Sequence, residues 1–450
     1  MNTKPAVYCF LLDNEDRDYY ILAMTLRCLE RHFNSPIEFY HPWDAVILRS
    51  KPPSLVVLPN TRGDKHYFQI AKYCEEISIP VFYSESEGNY FPQSKNHYWG
   101  LNNEKRPLSG LTTVWNHTVK KKLISEKILN EDQIKVTGGA GFDRFQYLRT
   151  VDKGVFLKSI NQGDKKLIIT YAGWAFGKIH NKEINNILFN IGFDKTMGLD
   201  WIVRNRDVVN DMLKHAVINN PDVLFILKKH PKENFVTDTR DSPNEMNNLA
   251  DFPNVFYAKS EFAIQDLIGV SDLWTAFEST SIIEAWLMNK PTLILNGVRD
   301  FNRSDIIDGC IAANNGNQFQ QAIDAISSQA VGYFDNPDLF EKRKSIIEDS
   351  IGFSDGLSGY RAFKEFIAIH QPVQYIQQPK RQWIFERRKL ILNVFGIFYR
   401  KNIFSRIWKL KKLVGVFENL ELKVVKARYA EEKTQIDEFL DRSVADSLRK

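Results

Sequence analysis

The chain has 450 residues, a length that predicts two or three domains. Its hydrophobic content of 43% and charged content of 26% are ordinary for a soluble globular protein, and a formal net charge of +5 is too mild to indicate a partner. The 4 cysteines are scattered without a CxxC spacing, which argues against disulfide bonds and a zinc site and fits a reducing cytoplasm.

The N-terminal segment predicts a strand rather than a targeting signal. Its apolar run, residues 6–12, ends at Asp13 and is too short for a signal peptide. No segment of the chain reaches the roughly 18 apolar residues that a transmembrane helix needs. We therefore expect a protein that stays in the cytoplasm.

The first third of the chain alternates short apolar runs with segments of helical periodicity. Continuous apolar runs are typical of buried parallel strands. The strands are predicted at 6–12, 54–59, 79–83 and 133–137, and the helices at 20–32 and 67–77. This βαβ rhythm predicts a Rossmann-like domain over residues 1–155.

A second set of strands follows a polar stretch, residues 151–165, which reads as a linker. The strands are predicted at 166–171, 223–227, 255–257, 273–277 and 292–295, with a long helix over 201–219. This order predicts an α/β protein with a second Rossmann-like domain over 165–370. A ligand is expected in a cleft between the two domains.

The strand at 223–227 ends in a basic turn that contains Lys229, His230 and Pro231. Proline stops the strand, while the histidine and lysine can contact phosphate oxygens. In α/β proteins, phosphorylated ligands are held beyond the carboxyl ends of parallel strands. The turn therefore predicts a phosphate contact, and its alternative is an ordinary surface turn.

The strand at 273–277 leads into a polar turn and then a helix. The turn is formed by Glu278, Ser279, Thr280 and Ser281, and Glu284 lies one helical turn further on. Hydroxyls and free N–H groups at this position suit an anion, although serine and threonine are also common helix caps. Glu284 could accept hydrogen bonds from ribose hydroxyls, or it could be a solvated helix residue.

The order of these motifs resembles that of bacterial surface-carbohydrate biosynthesis proteins, which act on capsule and lipopolysaccharide. This group has the GT-B fold, with two Rossmann-like domains facing a cleft, and is related to Kdo transferases and CDP-glycerol glycerophosphotransferases. The resemblance covers about residues 5–370. It rests on His230-Pro231, Ser279–Ser281 and the stretches 86–88, 138–144 and 354–361.

The resemblance implies a glycosyltransferase that moves a sugar, such as Kdo or another CMP-linked acidic sugar, from a nucleotide donor to a glycan or lipid-linked acceptor. Its alternatives are a CDP-polyol phosphotransferase and a non-catalytic scaffold of glycan assembly. In such a group the basic turn and the serine-rich turn hold the donor. No metal and no cofactor are expected, because no DxD motif stands in a strand-end loop.

The chain departs from the group's pattern at two places. Lys229 stands where the group often has Arg-Pro before the His-Pro pair. The point charge of an ammonium therefore replaces a guanidinium that can donate two parallel hydrogen bonds. Residues 139–142 replace Asn-Pro-Arg-Phe, and Arg144 is expected to supply the missing charge. Gly141 would let the backbone approach a phosphate closely, or it belongs to a simple tight turn.

Three carboxylates are candidates for the catalytic acid, base or nucleophile. Glu87 and Asp13 follow predicted strands of the first domain, and Asp200 precedes the long helix of the second. A transferase needs such a group to deprotonate the acceptor hydroxyl or to act as a nucleophile. Nothing in their spacing chooses among them, and each could instead be structural.

The C-terminal stretch 378–450 is predicted to be a basic helical extension. Residues 380–412 hold eleven Lys or Arg and one acid, interleaved with aromatic and apolar residues. This composition suits the anionic inner surface of the cytoplasmic membrane. The alternatives are an ordinary surface helix and an arm that packs on a partner subunit. Nucleic acid is not expected, because the rest of the chain shows no matching basic face or motif.

Overall fold

The computed structural model describes most of the chain in thirteen ranges: 6–11, 17–59, 65–84, 111–174, 200–230, 245–246, 248–258, 262–277, 279–296, 305–330, 332–334, 336–369 and 422–447. These residues divide into two compact units. The first contains the described residues up to 148 and from 349 onward, and the second contains those from 149 to 348.

The strands are short and mostly apolar. In chain order they are β1 Val7–Phe10, β2 Ile37–Tyr40, β3 Leu55–Leu58, β4 Val81–Ser84, β5 Thr112–Val114, β6 Ile134–Val136, β7 Leu167–Ala172, β8 Val223–Lys228, β9 Val255–Ala258, β10 Leu273–Ala276, β11 Thr292–Leu295 and β12 Ile311–Ala313. Sequence reasoning missed β2, β5 and β12. The last two have only three residues each, which is too short for a clear pattern.

The helices separate most of these strands. In chain order they are α1 Arg17–Phe33, α2 Ile47–Ser50, α3 Lys65–Glu76, α4 His117–Ser125, α5 Arg144–Tyr147, α6 Lys153–Ser159, α7 Asp200–Asn219, α8 Ile264–Val270, α9 Ser281–Leu287, α10 Gly316–Ser327, α11 Pro337–Ile351, α12 Ser358–Ile369 and α13 Leu422–Ser447. Short 3₁₀ turns occupy Pro42–Asp44, Glu131–Gln133, Ala140–Phe142 and Asp305–Gly309.

The described strands of the first unit form one parallel sheet in the order β2-β1-β3-β4-β5-β6. Strand β1 lies inside it and pairs with β2 and β3 on either side, so Val7 is opposite both Ile37 and Leu55. Every residue of β1 is completely buried, which explains its continuous apolar run. The strand order reverses between β1 and β3.

The described strands of the second unit form another parallel sheet in the order β12-β11-β10-β7-β8-β9. Counted from its own first strand, β7, this is the 3-2-1-4-5-6 order of the Rossmann fold. The order reverses between β7 and β10, where Leu273 is paired with Ile169. The α/β prediction of two Rossmann-like sheets is therefore confirmed.

One face of the second sheet buries a large apolar core against α7 and α10. Phe225 and Phe277, on the sheet side, share this core with Leu213 of α7 and Phe319 of α10. Each of these side chains is at most 1% exposed. Burial of such side chains contributes roughly 1.5–3 kcal/mol each relative to exposure. This packing holds the sheet rigidly behind its carboxyl edge.

The predicted linker 151–165 is not irregular, because it contains helix α6. The side chain of Asp152 accepts a hydrogen bond of 3.0 Å from the N–H of Val155 and caps this helix. On the inner side Phe156 and Leu157 are buried. Polar residues around a short apolar pair concealed the helix from sequence reasoning.

The described residues after 348 return to the first unit, so the second unit ends before the predicted boundary at 370. Helix α12 packs on α1, where Thr25 Oγ1 donates to the carbonyl of Gly359 at 3.0 Å. The close contact requires a small residue, because a Cβ on Gly359 would lie 2.7 Å from Cβ of Met24. The sequence shows no signal for such a return, which depends on long-range packing.

Helix α13 is also part of the first unit rather than a separate extension. Val425 and Ile436 are completely buried in the apolar core that contains α1. Arg27 of α1 donates two hydrogen bonds to the carboxylate of Asp437, one of them 2.8 Å long. Residues 380–412, the predicted membrane-binding segment, lie outside the described residues. Among the described helices, none is long and apolar enough to cross a bilayer.

Candidate functional site

The two predicted donor-binding turns lie at the same edge of the second sheet. The basic turn follows β8 and the serine-rich turn follows β10, while β7 lies between these strands. Because neighbouring strands are about 4.8 Å apart, the two strand ends are about 10 Å apart. The gap spans the point where the strand order reverses, which is where ligands bind in open α/β sheets.

The basic turn presents cationic and hydrogen-bonding groups. Lys229 and His230 are both half-buried. The ammonium of Lys229 lies 5.9 Å from the ring centroid of Tyr257, an attractive cation–π distance. Pro231 lies outside the described residues. The turn thus keeps a positive charge at the carboxyl edge.

The serine-rich turn is organised by hydrogen bonds among its own residues. Ser281 is buried, and its hydroxyl accepts from Trp274 Nε1 at 3.1 Å and donates to Ser279 Oγ at 3.0 Å. Ser279 Oγ also accepts from the N–H of Ser281 at 3.3 Å. Since Ser279 accepts in both contacts, its own hydroxyl hydrogen can be donated to a ligand oxygen. Thr280 is exposed.

Helix α9 has only seven residues, so its dipole is a weak basis for anion binding. Thr280 stands at its N-cap without a side-chain capping bond, although capping was one predicted role for this turn. A phosphate contact at this turn would therefore depend on the hydroxyls rather than on the helix dipole. Glu284 is half-buried one turn into the helix, and Glu278 lies outside the described residues.

Sequence reasoning missed the segment between the two turns, Gly173 and Trp174 after β7. A Cβ on Gly173 would lie 2.9 Å from Met246 Cε and 3.1 Å from Glu245 Oε1, so no larger residue fits without a shift. Trp174 packs edge-on against Phe277, with ring centroids 5.4 Å apart. The Gly-Trp pair directly after an apolar strand was the available signal.

Glu245 is a completely buried acid behind this edge. Its Oε1 accepts hydrogen bonds of 3.2 Å from the hydroxyl of Tyr171 and from the N–H of Trp174. Burial and then the charge of Glu245 raise the pKa of Tyr257 to about 12. Glu245 therefore fixes the backbone at the end of β7. No sequence pattern pointed to it, because its neighbours form no periodic element.

Gly141 and Arg144 lie in the first unit, whereas the other predicted donor residues that the structure describes lie in the second. The guanidinium of Arg144 lies 4.0 Å from the ring centroid of Tyr20 and 4.8 Å from that of Phe145. A Cβ on Gly141 would lie 3.3 Å from Ile21 Cγ1. These contacts are to α1 and to α5 itself, and they explain both residues structurally. Their donor-binding role stays a prediction.

Two stretches that carry the family resemblance, 138–144 and 354–361, meet in the first unit. Asp143 is 2% exposed and accepts hydrogen bonds from the N–H groups of Ser358 and Gly359. Burial raises the pKa of Asp143 to about 7, although the two N–H donors oppose this shift. Gly352 has a φ of +84°, and a Cβ there would clash with the carbonyl of Trp115. This junction has a structural role.

The candidate catalytic carboxylates lie beyond what the structure describes. Asp13 and Glu87 are outside the described residues, and Asp200 begins α7 with its side chain undescribed. Their catalytic roles therefore stay predictions. Within the described part of the chain, no group of three or more His, Cys, Asp or Glu side chains is arranged to hold a metal ion.

No protein-family model and no curated protein matches the chain. Solved structures do match it. A candidate UDP-N-acetylglucosamine 2-epimerase from Listeria monocytogenes has a TM-score of 0.52 and 13% identity, covering 83% of this chain and 100% of its own. Another UDP-N-acetylglucosamine 2-epimerase has the same TM-score and identity, covering 85% of this chain and 100% of its own. This likeness confirms the predicted GT-B-type fold.

Proposed function

We propose that the chain is an enzyme that acts on a nucleotide sugar bound at the carboxyl edge of the second sheet. The observation that carries this proposal is the pair of turns at the strand-order reversal. Lys229 and His230 stand on one side, and Ser279 and Thr280 stand on the other. Cationic groups and hydroxyls at this spacing suit the phosphates of a nucleotide. The two solved structures of like fold are named as enzymes of a UDP-sugar, which supports the substrate class.

The reaction we propose is glycosyl transfer. Lys229 and His230 neutralise the phosphates of the leaving nucleotide, Ser279 donates to a donor oxygen, and Glu284 accepts from ribose hydroxyls. The family resemblance supports a CMP-linked acidic sugar such as Kdo as the donor and a bacterial surface glycan or lipid-linked acceptor. The reaction also needs a group that deprotonates the acceptor, for which Asp13, Glu87 and Asp200 are the candidates.

Epimerisation of a UDP-sugar is the second candidate reaction, and a specific observation favours it. Both solved structures of like fold are named UDP-N-acetylglucosamine 2-epimerases and are covered over their whole length. The same phosphate contacts serve an epimerase and a transferase. A CDP-polyol phosphotransferase and a non-catalytic scaffold remain alternatives within the family resemblance.

The first experiment measures thermal unfolding of the full chain with CMP, CDP, UDP, CMP-Kdo and UDP-N-acetylglucosamine. Stabilisation by at least one of these compounds supports the nucleotide-sugar proposal, since a ligand that binds only the folded state raises the unfolding temperature. If all five fail to raise it at millimolar concentration, the enzyme proposal is wrong and the scaffold alternative gains support.

Product analysis separates the reactions. Exchange of solvent deuterium into the sugar, together with formation of the C2 epimer and no acceptor, indicates an epimerase. A new glycosidic bond in the presence of a surface-glycan acceptor indicates a glycosyltransferase, and a new phosphodiester indicates a phosphotransferase.

The role of the basic turn is tested with His230→Ala. We expect nucleotide affinity to fall about tenfold or more. The reason is that a hydrogen bond to a charged group such as phosphate contributes about 1.5–3 kcal/mol. His117→Ala replaces an exposed histidine of the first unit and serves as the matched control. Unchanged affinity in His230→Ala would favour the ordinary surface turn, and loss of its fold would favour a structural role for the histidine.

A further inference from the structure

Asn296 is a buried polar residue whose side chain has no hydrogen-bond partner among the described residues. It follows β11 and is 1% exposed. Within the described part of the chain, neither its side-chain oxygen nor its side-chain nitrogen has a hydrogen-bond partner. Its backbone N–H, by contrast, donates to the carbonyl of Ala313 at 3.0 Å. The backbone therefore belongs to the sheet, whereas the amide side chain contributes nothing to it.

A second asparagine lies beside the first. Strands β11 and β12 are parallel, with Leu295 opposite Ala313, so the same register places Asn296 beside Asn314. Adjacent strands are about 4.8 Å apart, and paired residues share a face of the sheet. Among the described residues, Asn314 Oδ1 is also buried without a hydrogen-bond partner. Among the described residues, the whole side-chain amide of Asn296 and the amide oxygen of Asn314 thus lack partners at the ends of neighbouring strands.

The pair lies on the sheet face that carries α9. Thr292, four residues before Asn296 on the same face, accepts a hydrogen bond of 2.8 Å from Trp286 Nε1 of α9. The alternate residues, Leu293 and Leu295, belong to the core on the opposite face. Helix α9 begins at the carboxyl edge with Ser281. The amide pair and the serine-rich turn are therefore on the same face and at the same edge.

Buried polar atoms without hydrogen bonds lower the stability of the folded state. We therefore expect them to be kept where they serve a function. A buried amide that makes no hydrogen bond has lost its contacts with water and gained none in return. Asn254, directly before β9, shows how a buried asparagine is usually satisfied. It is 3% exposed, and its side chain donates to the carbonyls of Val217 at 3.0 Å and Asn220 at 2.9 Å.

We propose that Asn296 and Asn314 bind the neutral part of the nucleotide sugar. An amide offers a donor and an acceptor side by side, and Asn314 Oδ1 adds a second acceptor. Phosphate oxygens only accept, so they cannot satisfy these two oxygens. Neighbouring sugar hydroxyls, or the amide edge of a pyrimidine base, present donors together with acceptors. The pair would therefore determine specificity at the site whose phosphates contact the two turns.

Since Asn296 is 1% exposed in the free chain, a contact with the ligand requires its side chain to become accessible on binding. This inference rests on the proposed function, because the ligand is the nucleotide sugar of that site. The inference adds the residues that contact the neutral part of the ligand. It also predicts that a substitution at Asn296 weakens binding without lowering stability.

The experiment compares Asn296→Leu and Asn296→Ala with Asn254→Leu in the full chain. Thermal unfolding is measured alone, with UDP or CMP, and with UDP-N-acetylglucosamine or CMP-Kdo. We expect Asn296→Leu to unfold at the wild-type temperature or higher, because it removes an unsatisfied group. Asn254→Leu should unfold at a lower temperature. The affinity of Asn296→Leu for the nucleotide sugar should fall about tenfold, equivalent to about 1.4 kcal/mol.

Comparing the ligands identifies which part of the nucleotide sugar contacts the two asparagines. Weaker binding of the nucleotide sugar alone assigns the pair to the sugar, and equally weaker binding of UDP or CMP assigns it to the base. Unchanged binding of every ligand in both Asn296 variants overturns the inference while the proposed function stands. Lower stability in both variants, with unchanged binding, identifies a purely structural asparagine. If the wild-type chain itself binds none of the compounds, the proposed function fails and the inference fails with it.

Discussion

The carboxylate of Asp143 accepts a hydrogen bond of 2.7 Å from the backbone N–H of Gly359, 216 residues further along the chain. Its other oxygen accepts from the N–H of Ser358 at 3.0 Å. Both donors lie in the first turn of α12, where N–H groups have no partner inside the helix. Asp143 therefore anchors the start of α12 to the segment before α5 and makes these distant stretches one structural element.

This anchor predicts a pH dependence of stability. The pKa of Asp143 is about 7 in the folded chain, against a usual value of 3.8. Because the folded pKa is the higher one, the folded state holds a proton that the unfolded state releases between these values. The contribution is complete below about pH 4 and is lost as the pH rises through 7, at up to about 1.4 kcal/mol per pH unit.

The measurement is urea unfolding of the wild type and Asp143→Asn from pH 5 to pH 8. The wild type should lose stability relative to the variant as the pH rises. Asp152→Asn, which replaces an exposed carboxylate by another good N-cap, serves as control and should give a curve parallel to the wild type. Parallel curves for Asp143→Asn as well would show that Asp143 is ionised throughout this range.

Gly352→Ala should destabilise the first unit by more than about 2 kcal/mol. Gly352 has a φ of +84°, and a Cβ there would lie 2.2 Å from the carbonyl oxygen of Trp115. Because that atom belongs to the backbone, it cannot move away cheaply. Gly163→Ala is the matched control, since a Cβ there meets no atom within 4 Å. Equal urea midpoints for the two variants would contradict the close packing at Gly352.

Ile436→Ala in α13 should lower the free energy of unfolding by about 2–5 kcal/mol, the range for removal of a large aliphatic core side chain. Ile436 is completely buried in the core of the first unit. The control is Thr434→Ala, which changes an exposed position of the same helix. Chemical denaturation provides the measurement. A small effect in both variants would mean that α13 is a dispensable arm.

The predicted membrane-binding segment is best tested by substitution, because deletion to residue 450 would also remove α13 from the core. Replacing Arg387, Arg388 and Lys389 by Gln should weaken binding to vesicles that contain anionic lipid. Each basic residue near such a surface contributes about 1 kcal/mol, so the loss should be on the order of 100-fold. Vesicle co-sedimentation at physiological salt measures it.

The matched control replaces the same number of exposed lysines elsewhere: Lys121, Lys127 and Lys342. This variant has the same net charge but keeps the basic segment. If both variants lose binding equally, general charge rather than this segment attracts the membrane. If neither binds anionic vesicles less well than the wild type, the membrane hypothesis is wrong.

Activity on the nucleotide sugar should persist in EDTA. In the proposed site Lys229 would supply the positive charge that a divalent metal would otherwise bring to the phosphates, and His230 would add a hydrogen bond. Product formation is measured with chelator in excess over any divalent metal, and again after Mg²⁺ is added in excess over the chelator. Activity that disappears with the chelator and returns with Mg²⁺ would show that a metal takes part.

Much of the fold was predictable because its causes are local. The β11 strand, 292–295, matches its predicted bounds, and β8 and α7 differ from theirs by one residue. Each is a short continuous apolar run or a long segment of helical periodicity. Tertiary packing supports the local structure that such segments prefer. The helix α6 was missed because only Phe156 and Leu157 mark its buried side.

The candidate site was predictable in part for the same reason. Lys229, His230 and Ser279 lie just after apolar runs, and a polar turn after a buried strand is visible in the sequence. Gly173 carried a weaker form of this signal. Glu245 carried none, since its position depends on hydrogen bonds with Tyr171 and Trp174 across more than 70 residues.

The amino-acid sequence by itself therefore determined most of the longer apolar strands, and the polar turns that follow them, because hydrophobic periodicity acts over neighbouring residues. Only the tertiary structure decided which strand ends are adjacent. The order of β8, β7 and β10 brings the two donor turns to one edge, and the register of β11 and β12 puts Asn296 beside Asn314. Strand order and register arise from contacts between distant residues, which no local pattern encodes.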